Sequence, residues 1–194
     1  MSQVFKCGAC GKPLGSFETI TLAGEGDRCH PCFNREMADR LGVNFDNTPL
    51  QPIVLADADG IPHTFQVRSM LVATGREMEA LEMTGDDQLG YCFRVLGEFD
   101  AKAWDLFRQL YDNMRRDMAR CHVEQTELGW QLTSDHRLVG RIEWDPNTNG
   151  ALPVVVIDGK PSTWEQVGHM LMTFEGFTID ARIEDTVHVV GKPV

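Results

Sequence analysis

The sequence predicts an α+β protein in two parts: a small four-cysteine zinc module over residues 1–45, then an α+β domain over 50–194 with a largely antiparallel sheet and two main helices. Three observations lead there. Two Cys-x2-Cys pairs, Cys7/Cys10 and Cys29/Cys32, fall within the first forty residues. Two stretches, 101–121 and the run after Ser162, carry apolar residues at helical spacing. Most of the remainder is short apolar runs separated by turn residues, which reads as hairpins.

The 194 residues are 42% hydrophobic and 24% charged, the balance of one ordinary globular domain or of a domain with a small appendage. No run approaches the roughly 20 apolar residues that cross a bilayer, so no membrane span is expected. The start, MSQVFKCGACGK, lacks the basic-then-apolar pattern of a secretory leader, which predicts a cytoplasmic setting. In a reducing cytosol, six cysteines point to metal rather than to three disulfides. Net charge is −11, yet residues 1–40 carry five basic and five acidic groups and sum to zero. The whole excess therefore lies in the rest of the chain, and such a surface repels phosphate backbones and anionic lipid. Neither nucleic acid nor membrane is an expected partner.

The cysteine pairs have eighteen residues between them. Two Cys-x2-Cys pairs at that separation are the spacing of a structural zinc site. Two intervening residues let both sulfurs of a pair turn to one point, and four thiolates complete a tetrahedron at about 2.3 Å. A shell filled by Cys7, Cys10, Cys29 and Cys32 leaves no position for water or substrate, so one zinc per chain would hold structure and do no chemistry. Iron can use the same four sulfurs and is the lesser alternative. A thioredoxin-like redox pair would need a βαβ surround, which neither pair has. Forty glycine-rich residues also bury too little surface to fold without help, and a metal is the usual remedy.

Around the cysteines, Gly8 and Gly11 loosen the backbone for a knuckle, and "FETITLAGEGDRC" reads as a hairpin with Gly24 and Gly26 in its bend. After Cys32, Phe33, Met37 and Leu41 recur at helical spacing, and Gly42 ends the helix. A knuckle, a hairpin and a helix whose first turn carries the second pair resembles the treble-clef group of zinc modules, including the halves of LIM domains. The resemblance covers about forty residues and implies a bound metal.

"GVNFDNTPLQP", 42–52, reads as a linker. "PIVLADADGIPHTFQVRSML" is a hairpin about Asp59-Gly60. Its Asp57-Ala-Asp59-Gly60 lacks the closing Glu of a calcium loop, with Gln66 in that place, and is a turn. The Met- and Glu-rich stretch to Asp87 reads as loop or short helix, and "LGYCFRVLGEF" as a strand. Asp100 is the expected cap of a helix over 101–121, with Trp104, Phe107, Tyr111, Met114, Met118 and Cys121 as its core stripe. "RLVGRIEWD" and "ALPVVVID" make a hairpin about "PNTNG". A Ser162/Glu165 capping box opens the last helix, which carries Trp164, Val167, Leu171 and Phe174 and stops at Gly176. "FTIDARIED" is the closing strand. From residue 90 the order strand, helix, strand, strand, helix, strand is that of a ferredoxin-like split βαβ, the candidate topology.

No catalytic signature emerges. "VVVIDGKPST" has Val154 and Pro161 where a phosphate loop needs glycine and a hydroxyl, which leaves a strand-to-helix turn. His63, His122, His136, His169 and His188 are scattered, and each reads as a surface or packed histidine. Cys92 lies in a strand, where thiols are inert, and Cys121-His122 has no second pair beside it. "STWEQVGHMLMTFEGF" resembles bacterial proteins that join an N-terminal zinc module to a domain of unknown function. That resemblance spans about the last hundred residues and implies a bacterial setting without an activity. The expected function is a protein-interaction or regulatory module with an unidentified protein partner, homo-oligomerisation being allowed. The alternative is an enzyme with its site in the α+β domain.

Overall fold

The computed structural model describes residues 5–15, 18–47, 49–85, 89–185 and 187–189. Two short hairpins come first, β1 (Phe5–Lys6) with β2 (Pro13–Leu14), and β3 (Thr19–Leu22) with β4 (Gly26–Cys29). The second runs directly into α1 (His30–Leu41), which Gly42 ends in the left-handed conformation at φ 67°. Knuckle, hairpin and helix thus form where the spacing placed them.

Over the described residues 43–47 and 49–52 there is no regular structure, as befits a linker, but the segment is pinned down. The Phe45 ring lies 4.5 Å beneath the Arg76 guanidinium, which also donates to the Asp46 carbonyl at 3.2 Å. Then β5 (Ile53–Ala56), β6 (Pro62–Val72), β7 (Gly75–Glu82) and β8 (Cys92–Gly97) form an antiparallel meander. The Asp59-Gly60 turn joins the first two. The Met- and Glu-rich stretch is a correction: it is strand β7, not loop or helix, and Asp87 lies outside the described residues. Glutamate disfavours strands in isolation. Here Met78 and Ala80 face the core while Glu77 and Glu79 take the opposite face, where Arg68 and Arg94 pair with Glu79.

Helix α2 (Ala103–Met118) packs on β7 and β8. Its cap is Lys102 rather than Asp100, and it ends before Cys121. The expected stripe is only half right. Leu106, Leu110, Met114 and Met118 form the buried row, whereas Trp104 is 69% exposed and Phe107 and Tyr111 lie at the margin. Phe65, Val67, Met78, Ala80 and Val95 complete this first core.

A second core forms from a hairpin not foreseen, β9 (Val123–Thr126) with β10 (Gly129–Leu132), and a three-stranded sheet. That sheet is β11 (Arg141–Trp144), β12 (Pro153–Ile157) and β13 (Lys160–Thr163), with a 3-10 turn at Pro146–Thr148 between the first two. Asp158 and Gly159 join β12 to β13 with φ of 48° and 71°, a two-residue hairpin turn rather than the expected strand-to-helix turn. Helix α3 (Trp164–Met172) starts one residue late: its capping box is Thr163 with Gln166. Val167 and Met170 are its buried residues, and Trp164 is exposed.

The closing strand is β14 (Val187–Val189), parallel to β8 and at the edge of the five-stranded sheet; residues 177–185 have no regular structure. The ferredoxin-like topology does not form. From β8 onward the strands divide among three sheets instead of sharing one. The fold class stands as α+β with mostly antiparallel sheets, and no described helix is long and apolar enough to cross a membrane.

Candidate metal centre

Cys7 and Cys10 sit on the turn between β1 and β2. That turn is tied down by Cys7 N–H to the Lys12 carbonyl (2.9 Å) and Gly11 N–H to the Cys7 carbonyl (2.8 Å). Gly8 donates to the Asp27 carbonyl at 2.8 Å, joining the knuckle to the second hairpin. A Cβ there would meet the Arg28 guanidinium at 2.9 Å, a contact the flexible arginine side chain could relieve by shifting. Cys29 caps α1 and Cys32 lies in its first turn. The four sulfurs all lie within 4.8 Å of one another, and Cys10 and Cys29 are 3.8 Å apart. A tetrahedron with 2.3 Å metal–sulfur bonds has edges of about 3.8 Å. The four cysteines are positioned to hold a metal ion, and none is in a disulfide.

Burial works against the Cys7 thiolate, yet backbone N–H groups of Cys29, Cys10 and Ala9 favour it and bring its pKa down to about 6. Burial and the neighbouring sulfurs push Cys32 up to about 12. Four thiolates this close repel one another, so a bound cation would offset the cost of ionising them together. The Arg35 guanidinium, 3.4 Å from the Cys32 sulfur, adds to that offset.

Two polar residues that sequence reasoning missed bind this module to the sheet. Asn34, 2% exposed, receives the Leu71 N–H on its side-chain oxygen (3.0 Å) and donates from its nitrogen to the Ser69 carbonyl (2.9 Å). β5 covers only residues 62–65 of β6, so the amide of Asn34 serves as a partner for the uncovered edge beyond them. A further chain of contacts runs from His30 to Arg68 (3.3 Å), to Glu79, and on to Arg94 (2.7 Å). Glu79 is 1% exposed; burial opposes its ionisation, but Arg68 and Arg94 outweigh burial and hold its pKa below the ordinary carboxylate value. The signals were a poor helix former inside a helix, Asn34, and the in–out alternation of β7.

The other candidates stay apart. His63 lies between Glu82 (2.6 Å) and Asp57 (3.1 Å), and His122 donates from Nδ1 to the Asp158 carboxylate at 2.9 Å. His136 meets Phe174 edge-on, His169 is exposed, and the His188 side chain lies outside the described residues. Among the described residues, no further group of three or more His, Cys, Asp or Glu side chains lies close enough to share an ion. Burial and the Glu79 carboxylate push the Cys92 thiol up to about 11, so it is protonated at neutral pH. Burial and the carboxylates of Asp59 and Asp158 raise the Cys121 thiol as well. A cleft of about 210 Å³ lies between β8 and β12, with Tyr91, Cys92, Arg94, Arg141 and Asp158 in its wall.

Three family models match in succession, each described as a domain of unknown function: DUF7685 over residues 6–44, DUF7686 over 46–119 and DUF7713 over 122–188. No curated protein and no solved structure matches the chain.

Proposed function

We propose that this chain is a zinc protein whose metal is structural, and that it works as a protein-interaction or regulatory module in a bacterial cytoplasm. The observation that carries the reading is the closed set of four sulfurs, Cys7, Cys10, Cys29 and Cys32, within 4.8 Å of one another. Four such ligands fill a tetrahedral shell, so the ion would brace the fold and leave no open position for a substrate. Zinc is favoured over iron because the second pair rides on the first turn of α1 directly after a hairpin, the arrangement of treble-clef modules. A thiolate site of this kind persists in a reducing compartment, which supports the cytoplasmic setting. The alternative, an enzyme using the cleft between β8 and β12, has its thiol protonated and its Arg94 engaged with Glu79.

Metal analysis of the purified chain tests the proposal. About one zinc per chain is expected from four thiolates. Cys7→Ser and Cys29→Ser should each lose the metal and leave residues 1–45 open to protease. Protein prepared without chelator that contains neither zinc nor iron would overturn the metal; stoichiometric iron would replace zinc.

A further inference from the structure

The run FTIDARIED, 177–185, alternates apolar and polar residues in the manner of a half-buried strand, yet every one of its residues is exposed. Phe177, Ile179 and Ile183 are 73%, 68% and 82% exposed. Among the described residues, no backbone N–H or C=O from 178 to 184 has a backbone partner. A segment with the side chains and the free backbone of a strand is a template for pairing.

We propose that 177–185 is a homodimerisation strand that pairs antiparallel with the same segment of a second copy, about a two-fold axis at Ala181. The charges select this partner and this register. With the axis at Ala181, Ile179 faces Ile183 of the second copy, and Asp180 faces the second copy's Arg182. Symmetry makes each pair twice, and the small alanines meet at the centre. Opposite charges directly across antiparallel strands stabilise the pair, and like charges oppose it. Moving the axis to Asp180 sets two aspartates together, and moving it to Arg182 does the same to two arginines. A shift by one residue lays apolar side chains against the polar face. Parallel pairing in register stacks Asp180 on Asp180.

Within the chain, Arg182 pairs with Glu184 at 2.6 Å, but the two side chains are 84% and 63% exposed. Such a pair contributes little and exchanges readily for another. The net charge of −11 on each copy opposes association at long range, and physiological salt screens that repulsion beyond about 8 Å. An isolated two-stranded ribbon is marginal. This segment, however, leads into β14 at the edge of the five-stranded sheet, so pairing would join two sheets rather than two free strands.

Sedimentation of the full chain across a concentration series tests the proposal, with D180R, R182D and the double variant D180R/R182D alongside. The native chain should pass from monomer to dimer as concentration rises. Each single reversal turns both charge pairs repulsive and should weaken the dimer by about tenfold or more. The double reversal restores opposite charges and should return the dimer to within a few-fold of native. The side chains are exposed, so an unchanged thermal midpoint of the monomer checks that folding is untouched. A native chain that stays monomeric throughout would overturn the proposal. So would a dimer indifferent to the single reversals or unrescued by the double, which would place any association on another surface.

Discussion

His63 has a carboxylate at each ring nitrogen, Glu82 on Nδ1 and Asp57 on Nε2, so it fastens the β5–β6 turn to the end of β7. Burial disfavours the charged ring, but the two carboxylates outweigh it and raise its pKa above 6.5. Burial likewise opposes the Asp57 carboxylate, and His63 with the N–H groups of Ile61 and Asp59 overcomes it and lowers its pKa below 3.8. The histidine's contribution is complete below its unfolded pKa and fades as pH rises through the folded one; the aspartate's fades as pH falls. The pin is therefore strongest between about pH 4 and 6.5. Thermal melts of native protein and His63→Gln should differ most in that window and converge towards alkaline pH. A gap that stays constant from acid to alkaline pH would sink the account. At this scale the four cysteines were fully legible, since their chemistry depends on local spacing. Asn34, Glu79 and His63 were not, because each acquires its role from residues distant in the chain and brought near only by folding.

The buried row of α2 is Leu106, Leu110, Met114 and Met118, and the aromatic row Trp104, Phe107 and Tyr111 stacks along its flank with centroids 5.5 and 6.2 Å apart. Met114 is fully buried, so Met114→Ala should cost about 2–5 kcal/mol in urea unfolding. Trp104 is 69% exposed, and Trp104→Ala should cost about 1 kcal/mol or less, the share of one stacked pair. Equal losses would mean that the aromatic row faces the core after all. Elements with strong periodicity or turn chemistry were readable: α1, the β5–β6 hairpin, β8, β11 with β12, and α3 to within a residue of its cap. The stripe on α2 was misjudged because aromatic size drew attention from two plain leucines at the correct spacing. The β9–β10 hairpin was hidden by Glu124, Gln125, Thr126 and Glu127, whose side chains are exposed and leave almost no apolar alternation.

Among the described residues, most of the buried apolar side chains fall into three clusters, one around the cysteines, one under α2 and one under α3. Its surface charge bears on partners. Arg108 on α2 is paired with Asp105 at 3.4 Å, as the i,i+3 spacing predicts. A zinc ion with four thiolates would add about −2 to a module that sums to zero. Non-specific nucleic-acid binding needs a basic surface from which counterions are released. We therefore expect no retardation of DNA or RNA at physiological salt. Micromolar binding that weakens steeply with added salt would reverse that reading. The global topology was the least legible level, because which hairpin joins which sheet depends on pairings such as β8 with β14, nearly a hundred residues apart, that no local pattern encodes. The seat of Asn34 on β6 also sets a timetable for synthesis. The asparagine and Leu71 are 37 positions apart, and at about 5–20 residues per second it precedes the edge it covers by roughly 2 to 7 s. The helix that carries the second cysteine pair emerges first, so the nascent strand meets its cover on arrival rather than waiting beside the ribosome with its backbone bare.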